Sequence, residues 1–144
     1  LSAELIQDAI VDLLKNTSAV AAEFGVNISK GMGRNFDFIN KSQGIRIYQL
    51  SEQFAQDQLP NTTQRAIYPF AIIILFYEPD EATGETRKTQ YSKLVRAALE
   101  ADQEIGGTCY NSVLGDTRFY FHSELEGAYY LSIPLVTSKR ETVG

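Results

Sequence analysis

The apolar run at residues 68–77 constrains this chain more than any other segment. It carries Ile72, Ile73 and Ile74 in succession, and such β-branched residues favour extended backbone. A membrane-spanning helix needs roughly 20 apolar residues, so the run is too short to cross a bilayer. A strand with apolar side chains at consecutive positions reads as one covered on both faces. Pro69 has no N–H to give to a ladder, which predicts that it lies near the strand's start or at a sheet edge.

The flanking patterns supply candidate covers. Leu5, Ile6, Ala9, Ile10, Leu13 and Leu14 recur at helical spacing, and Gly25 is a natural stop. Residues 26–35 read as a loop. Phe36 and Phe38, then Ile45 and Ile47, alternate with polar residues around a turn at residues 40–44, as in a hairpin. A long polar loop, about residues 51–66, contains Pro60. An acidic turn at 78–84 leads to a second helix over residues 86–104, with Tyr91, Leu94, Val95, Ala98, Leu99 and Ile105 on one side and Gly106-Gly107 after it. Three strands follow, at 108–114, 117–122 and 128–136, and the polar tail from Ser138 is expected to be loose. With 144 residues, this order predicts a single domain over residues 1–144. Its class is α+β: a mixed or mostly antiparallel sheet of about four to six strands with two helices packed on one face.

The residues that could carry chemistry do not assemble into a site on paper. Cys109 and His122 are the chain's lone cysteine and histidine, and no Gly-x-Ser-x-Gly elbow accompanies them. Cys109 reads as a small buried hydrophobe. His122, Glu124 and Glu126 alternate, but they run into a turn and lack the further His or Cys that zinc sites use. Gly31-Met32-Gly33-Arg34 resembles part of a phosphate loop without its closing Gly-Lys-Ser/Thr. Glu4, Asp8 and Asp12 share a helix face and read as solvated charges. The 13 basic against 18 acidic residues leave a net charge of −5, which argues against a broad phosphate-binding surface. The expectation is a protein that binds other protein surfaces, with no catalysis, metal or cofactor.

The second helix carries an unusual charge order. Arg87, Lys88 and Lys93 come first and Glu100, Asp102 and Glu104 last, opposite to what the helix dipole favours. Two readings stand. The ends are complementary subunit-interface patches, as a head-to-tail ring contact requires, or nearby acids such as Glu85 neutralise the basic end.

The helix at residues 3–14, the strand and acidic turn at 67–81, the amphipathic helix at 91–99 and the strands at 117–136 together resemble the tail terminator proteins of tailed bacteriophages and their tail-completion and neck relatives. That resemblance covers most of the chain and rests on element order, without a signature motif. It implies a virion protein assembled in the host cytoplasm into a ring, usually a hexamer. Such a ring caps the tail tube, stops its polymerisation and joins it to the head–tail connector. Its partners would be other copies of itself, the tail tube protein and the connector protein. DNA would pass through the lumen without specific binding, and no membrane would be involved. The alternatives are another neck, head-completion or tube component, or a small ligand-binding or regulatory α+β module.

Overall fold

The apolar run lies inside one of two very long strands. The computed structural model describes residues 2–31, 43–56, 63–121 and 126–142. Among these, the elements in chain order are α1 (Ser2–Asn16), α2 (Ser18–Phe24), β1 (Ile28–Lys30), β2 (Gln43–Gln49), β3 (Gln53–Gln56), β4 (Thr63–Tyr77), α3 (Glu81–Glu100), β5 (Asn111–Leu114), β6 (Arg118–Phe121) and β7 (Ala128–Thr142). The class is α+β with a mixed sheet, as the pattern predicts, with three helices and seven strands among the described residues, against the two helices and four to six strands expected.

β4 and β7 pair antiparallel along their whole lengths, from Thr63↔Thr142 to Tyr77↔Ala128. At about 3.3 Å per residue this ladder is roughly 50 Å long. Neither outer edge carries a strand of matching length. β2 flanks β4 at residues 70–76 and β3 flanks it at 64–67, while β6 flanks β7 at 129–132 and β5 at 135–138. β1 extends the sheet by pairing parallel to β2.

Proline marks the break on each side. Pro69 O accepts from Leu50 N at 2.9 Å, between β2 and β3, and Pro134 O accepts from Gly115 N at 2.8 Å, between β5 and β6. The nitrogen and carbonyl of a strand residue point to the same flank, so each missing N–H falls where the flanking ladder is already interrupted. Pro69 therefore sits in the middle of an interior strand, not at the start or edge that its chemistry suggested.

The three helices among the described residues lie on one face. Ile6, Ile10 and Leu14 of α1, Val20 and Phe24 of α2, and Val95 and Leu99 of α3 are buried with Ile45, Ile47, Phe70, Ile72, Ile74, Phe76, Leu131, Ile133 and Leu135 of the sheet. Leu94 packs at the margin of this core, and Leu5, predicted on the apolar stripe, is exposed. α3 approaches β7 closely at Gly84, where an added Cβ would stand 2.5 Å from the Tyr129 hydroxyl.

Several boundaries differ from expectation. Thr17 leaves the helical conformation, so the first helix is two, and its hydroxyl donates to Leu13 O at 2.8 Å. The expected loop at 26–35 contains β1, and the expected loop at 51–66 contains β3 and the start of β4. The tail from Ser138 is not loose. Residues 138–142 are the end of β7, held by β4. α3 begins at Glu81 because Asp80 caps it, accepting from Thr83 N at 3.0 Å. The strand expected around Phe36 and Phe38 and the turn residues 40–42 lie outside the described residues. No helix among those described is long and apolar enough to cross a membrane.

Candidate assembly surfaces

The observed start of α3 removes half of the charge anomaly. Asp80 and Glu81 now occupy the N-terminal end, where the dipole favours acids, and Arg87 and Lys88 lie further in. Arg87 is turned into the subunit, its side chain 21% exposed. Its guanidinium donates to Glu78 Oε1 at 3.2 Å, Gln43 Oε1 at 2.7 Å and the Tyr91 hydroxyl at 2.7 Å. It also lies 5.0 Å from the Phe76 ring centroid and 5.2 Å from that of Tyr91. Tyr91 donates to Glu23 Oε2 at 3.3 Å, so the network joins α2, β2, β4 and α3. Burial raises the Tyr91 pKa, and the Arg87 hydrogen bond and charge oppose that rise. Lys88 pairs with Glu85 and sits 5.0 Å from the Phe119 ring centroid. Neutralisation by nearby acids therefore accounts for these two cations. Lys93 is exposed.

The acidic end differs. No basic residue stands in the last turn of α3, and Glu100 and Glu104 are exposed. The turn after the helix is stiffly built. Ile105 is fully buried with φ 48°, a left-handed conformation that β-branched residues rarely adopt, followed by Gly106 at 63° and Gly107 at 77°. Gly106 N donates to Asp102 Oδ2 at 2.7 Å, and Ser112 Oγ donates to Gln103 O at 2.7 Å. An open hollow of about 720 Å³ lies here, with Glu100, Asp102, Glu104, Cys109 and Tyr110 among its lining. Buried Cys109 donates to Glu104 O at 3.4 Å. Burial, with a smaller contribution from the Asp102 charge, pushes its thiol up to about 11, so it stays protonated at neutral pH.

The sheet's second face carries the opposite charge. Register places Arg46, Ile73, Ser132 and Arg118 in one row across β2, β4, β7 and β6, and Leu75, Tyr130 and Tyr120 in the next. Tyr120 and Tyr130 stack at 4.7 Å. Further along, Pro69, Val136 and Val113 align, with Val136 43% and Val113 59% exposed. Arg65 stands directly opposite Arg140, and both are exposed. No acidic residue occupies this face among the described strand positions. Arg46 and Arg118 each alternate with inward residues, which the sequence displays. Their alignment across the sheet depends on pairings between distant segments, which it does not.

The remaining candidates scatter. Glu4 and Asp8 of α1 hold Lys30 of β1 at 3.6 and 2.6 Å, and Asp12 is exposed. Gly31 serves packing, since a Cβ there would collide with the Tyr48 ring. Met32, Gly33, Arg34, His122 and Glu124 lie outside the described residues, and Glu126 is exposed.

No protein-family model and no curated protein matches the chain. Among solved structures, the chain is similar to one from the virion of a native gene transfer agent particle. The TM-score is 0.56 and the sequence identity 12%, over 94% of each chain. At that identity the likeness establishes a shared fold.

Proposed function

We propose that this protein is a structural component of a phage-like virion, a tail terminator that closes the head-proximal end of the tail tube as a homo-hexameric ring. The ring stops tube polymerisation and docks on the head–tail connector, and the protein acts by binding, without catalysis. The observation that carries this reading is the fold correspondence with a chain of a gene transfer agent virion, over 94% of each chain. The two oppositely charged surfaces add support, because a head-to-tail ring contact requires two different, complementary patches on each subunit. A net charge of −5 suits a ring whose lumen passes DNA without holding it.

Electron microscopy of tails assembled without this protein tests the reading. The expected result is abnormally long, headless tails. Tails of normal length that merely fail to join heads would reject termination and assign a neck or adaptor role.

A further inference from the structure

We propose that the outer edge of β5 receives an added strand, an extended segment of a partner protein with an apolar and a basic side chain two residues apart. This goes beyond the ring reading and stands without it.

The pairing of β5 leaves that edge open. Gly115 N donates to Pro134 O, so the even-numbered residues of β7 turn their backbone groups toward β5. In the register Asn111↔Ser138 and Val113↔Val136, it is Asn111 and Val113 that face β7. The N–H and C=O groups of Ser112 and Leu114 therefore point outward. Among the described residues β5 pairs only with β7, and no hydrogen bond reaches these four outward groups. Ser112 is buried, and a buried backbone group without a partner is costly. Edges that resist pairing commonly carry Lys or Pro. Asn111-Ser112-Val113-Leu114 carries neither.

The edge opens on a groove of about 370 Å³ beside α3, with Arg96, Leu99 and Glu100 on the helical wall. Strand addition gives affinity through main-chain hydrogen bonds and specificity through the walls that meet alternate side chains. Buried Leu99 and half-buried Leu114 make the apolar part. Arg96 is engaged, donating to Gly115 O at 2.6 Å. Gln103 O accepts from Ser112 Oγ, so α3 runs opposite to β5 and Glu100 comes between these two contacts. A residue facing Leu114 would be apolar, and its same-side neighbour two positions on, level with Ser112, would reach Glu100.

Charge selects a basic side chain there. Glu100 also lines the adjoining hollow with Asp102 and Glu104, and none of the three forms an ion pair among the described residues. Arg65, Lys139 and Arg140 line a different hollow, which shares only Tyr110 and Asn111 with the acidic one. At Cys109, on the acidic wall, the charges of Asp102 and Glu104 each outweigh that of Lys139.

The experiment uses the full chain and the peptide Thr-Val-Thr-Lys-Thr, followed by NMR titration and amide hydrogen exchange. The peptide should slow exchange at Ser112 and Leu114. Its counterpart with Glu in place of Lys should bind about tenfold more weakly. Of two copies N-methylated on odd or on even residues, one should lose binding, because only one set of N–H groups faces β5. Glu100→Lys, a change the helix dipole favours at this end, should reverse the preference between the Lys and Glu peptides. Ser112 and Leu114 amides already protected in the free monomer would show the edge occupied within the chain and overturn the proposal. Protection that appears only as the protein self-associates would assign the edge to a second copy and overturn it equally. Peptides that leave both amides unchanged, or Lys and Glu peptides of equal affinity, would also overturn it.

Discussion

The two faces of the sheet come from the same alternating strands, yet they end in different states. On the covered face every large side chain of β4 from Phe70 to Phe76 is buried in one core with helix residues, and Arg87 and Lys88 near it have partners in the same subunit. On the open face the alternate residues of the same strand are half-buried, and the charges at its described strand positions are all arginine. One side therefore holds the subunit's stability. The other carries half-buried and exposed apolar surface, with Arg46 held by the Asn27 carbonyl at 2.8 Å. Composition does not reveal this division, because Ile72, Ile73 and Ile74 look identical in the sequence and differ only in which way the pleat turns them.

The largest effect that tests this division is truncation on each side. Leu99→Ala on the covered face opens a cavity beneath α3 and should cost about 2–5 kcal/mol of unfolding free energy. Leu75→Ala on the open face should cost the isolated subunit about 1 kcal/mol, since its water-exposed surroundings can close in. Urea unfolding of the two variants makes the comparison. Equal losses would mean that the open face is as much a part of the subunit's core as the covered one.

Charge reversal gives the next contrast. Arg87→Glu removes the hydrogen bonds to Gln43 and Tyr91 and places a carboxylate against Glu78 and Glu23. Destabilisation of about 2 kcal/mol is expected for a partly buried network of this kind. Arg118→Glu, exposed on the open face, should leave the melting temperature nearly unchanged. If Arg87→Glu melts like wild type, the Arg87 network contributes no stability and its inward turn has another purpose.

How much of this was legible in advance depended on range. Ile72–Ile74 as strand, Leu99 as core, Cys109 as a buried thiol and the acidic end of the second helix were readable from local pattern alone. The start of that helix was also present in the sequence, as Asp80 followed by Thr83, but Gly84 looked like part of a turn. It is a helix residue whose missing side chain makes room for Tyr129, a neighbour contributed by β7. The strand character of residues 138–142 was hidden for the same reason. Lys139 and Arg140 have no apolar pattern of their own and are held by pairing with residues 65–66, far away in the chain. The open-face arginines were visible one at a time, while the surface they form exists only once β2, β4, β6 and β7 are in register.

The smallest effect separates the faces by pH. The open face holds no carboxylate among its described strand positions for acid to protonate. Asp80, which anchors α3 over the covered face, is such a carboxylate. Its carboxyl titrates below its ordinary value because the Thr83 side chain, and then the Thr83 backbone N–H, donate to the charged form. The folded pKa lies below the unfolded one, so the unfolded state takes up the proton first. The resulting stabilisation is fully present above the unfolded value of about 3.9 and is lost as pH falls through the folded value. Asp80→Asn keeps an oxygen to accept from Thr83 N but cannot titrate. Melting temperatures of wild type and Asp80→Asn, followed from pH 6 down to pH 2, should therefore converge on acidification, with wild type the more stable at the start. Curves that stay parallel would show that the cap contributes through its shape alone and that the covered face is no more acid-sensitive at this point than the open one.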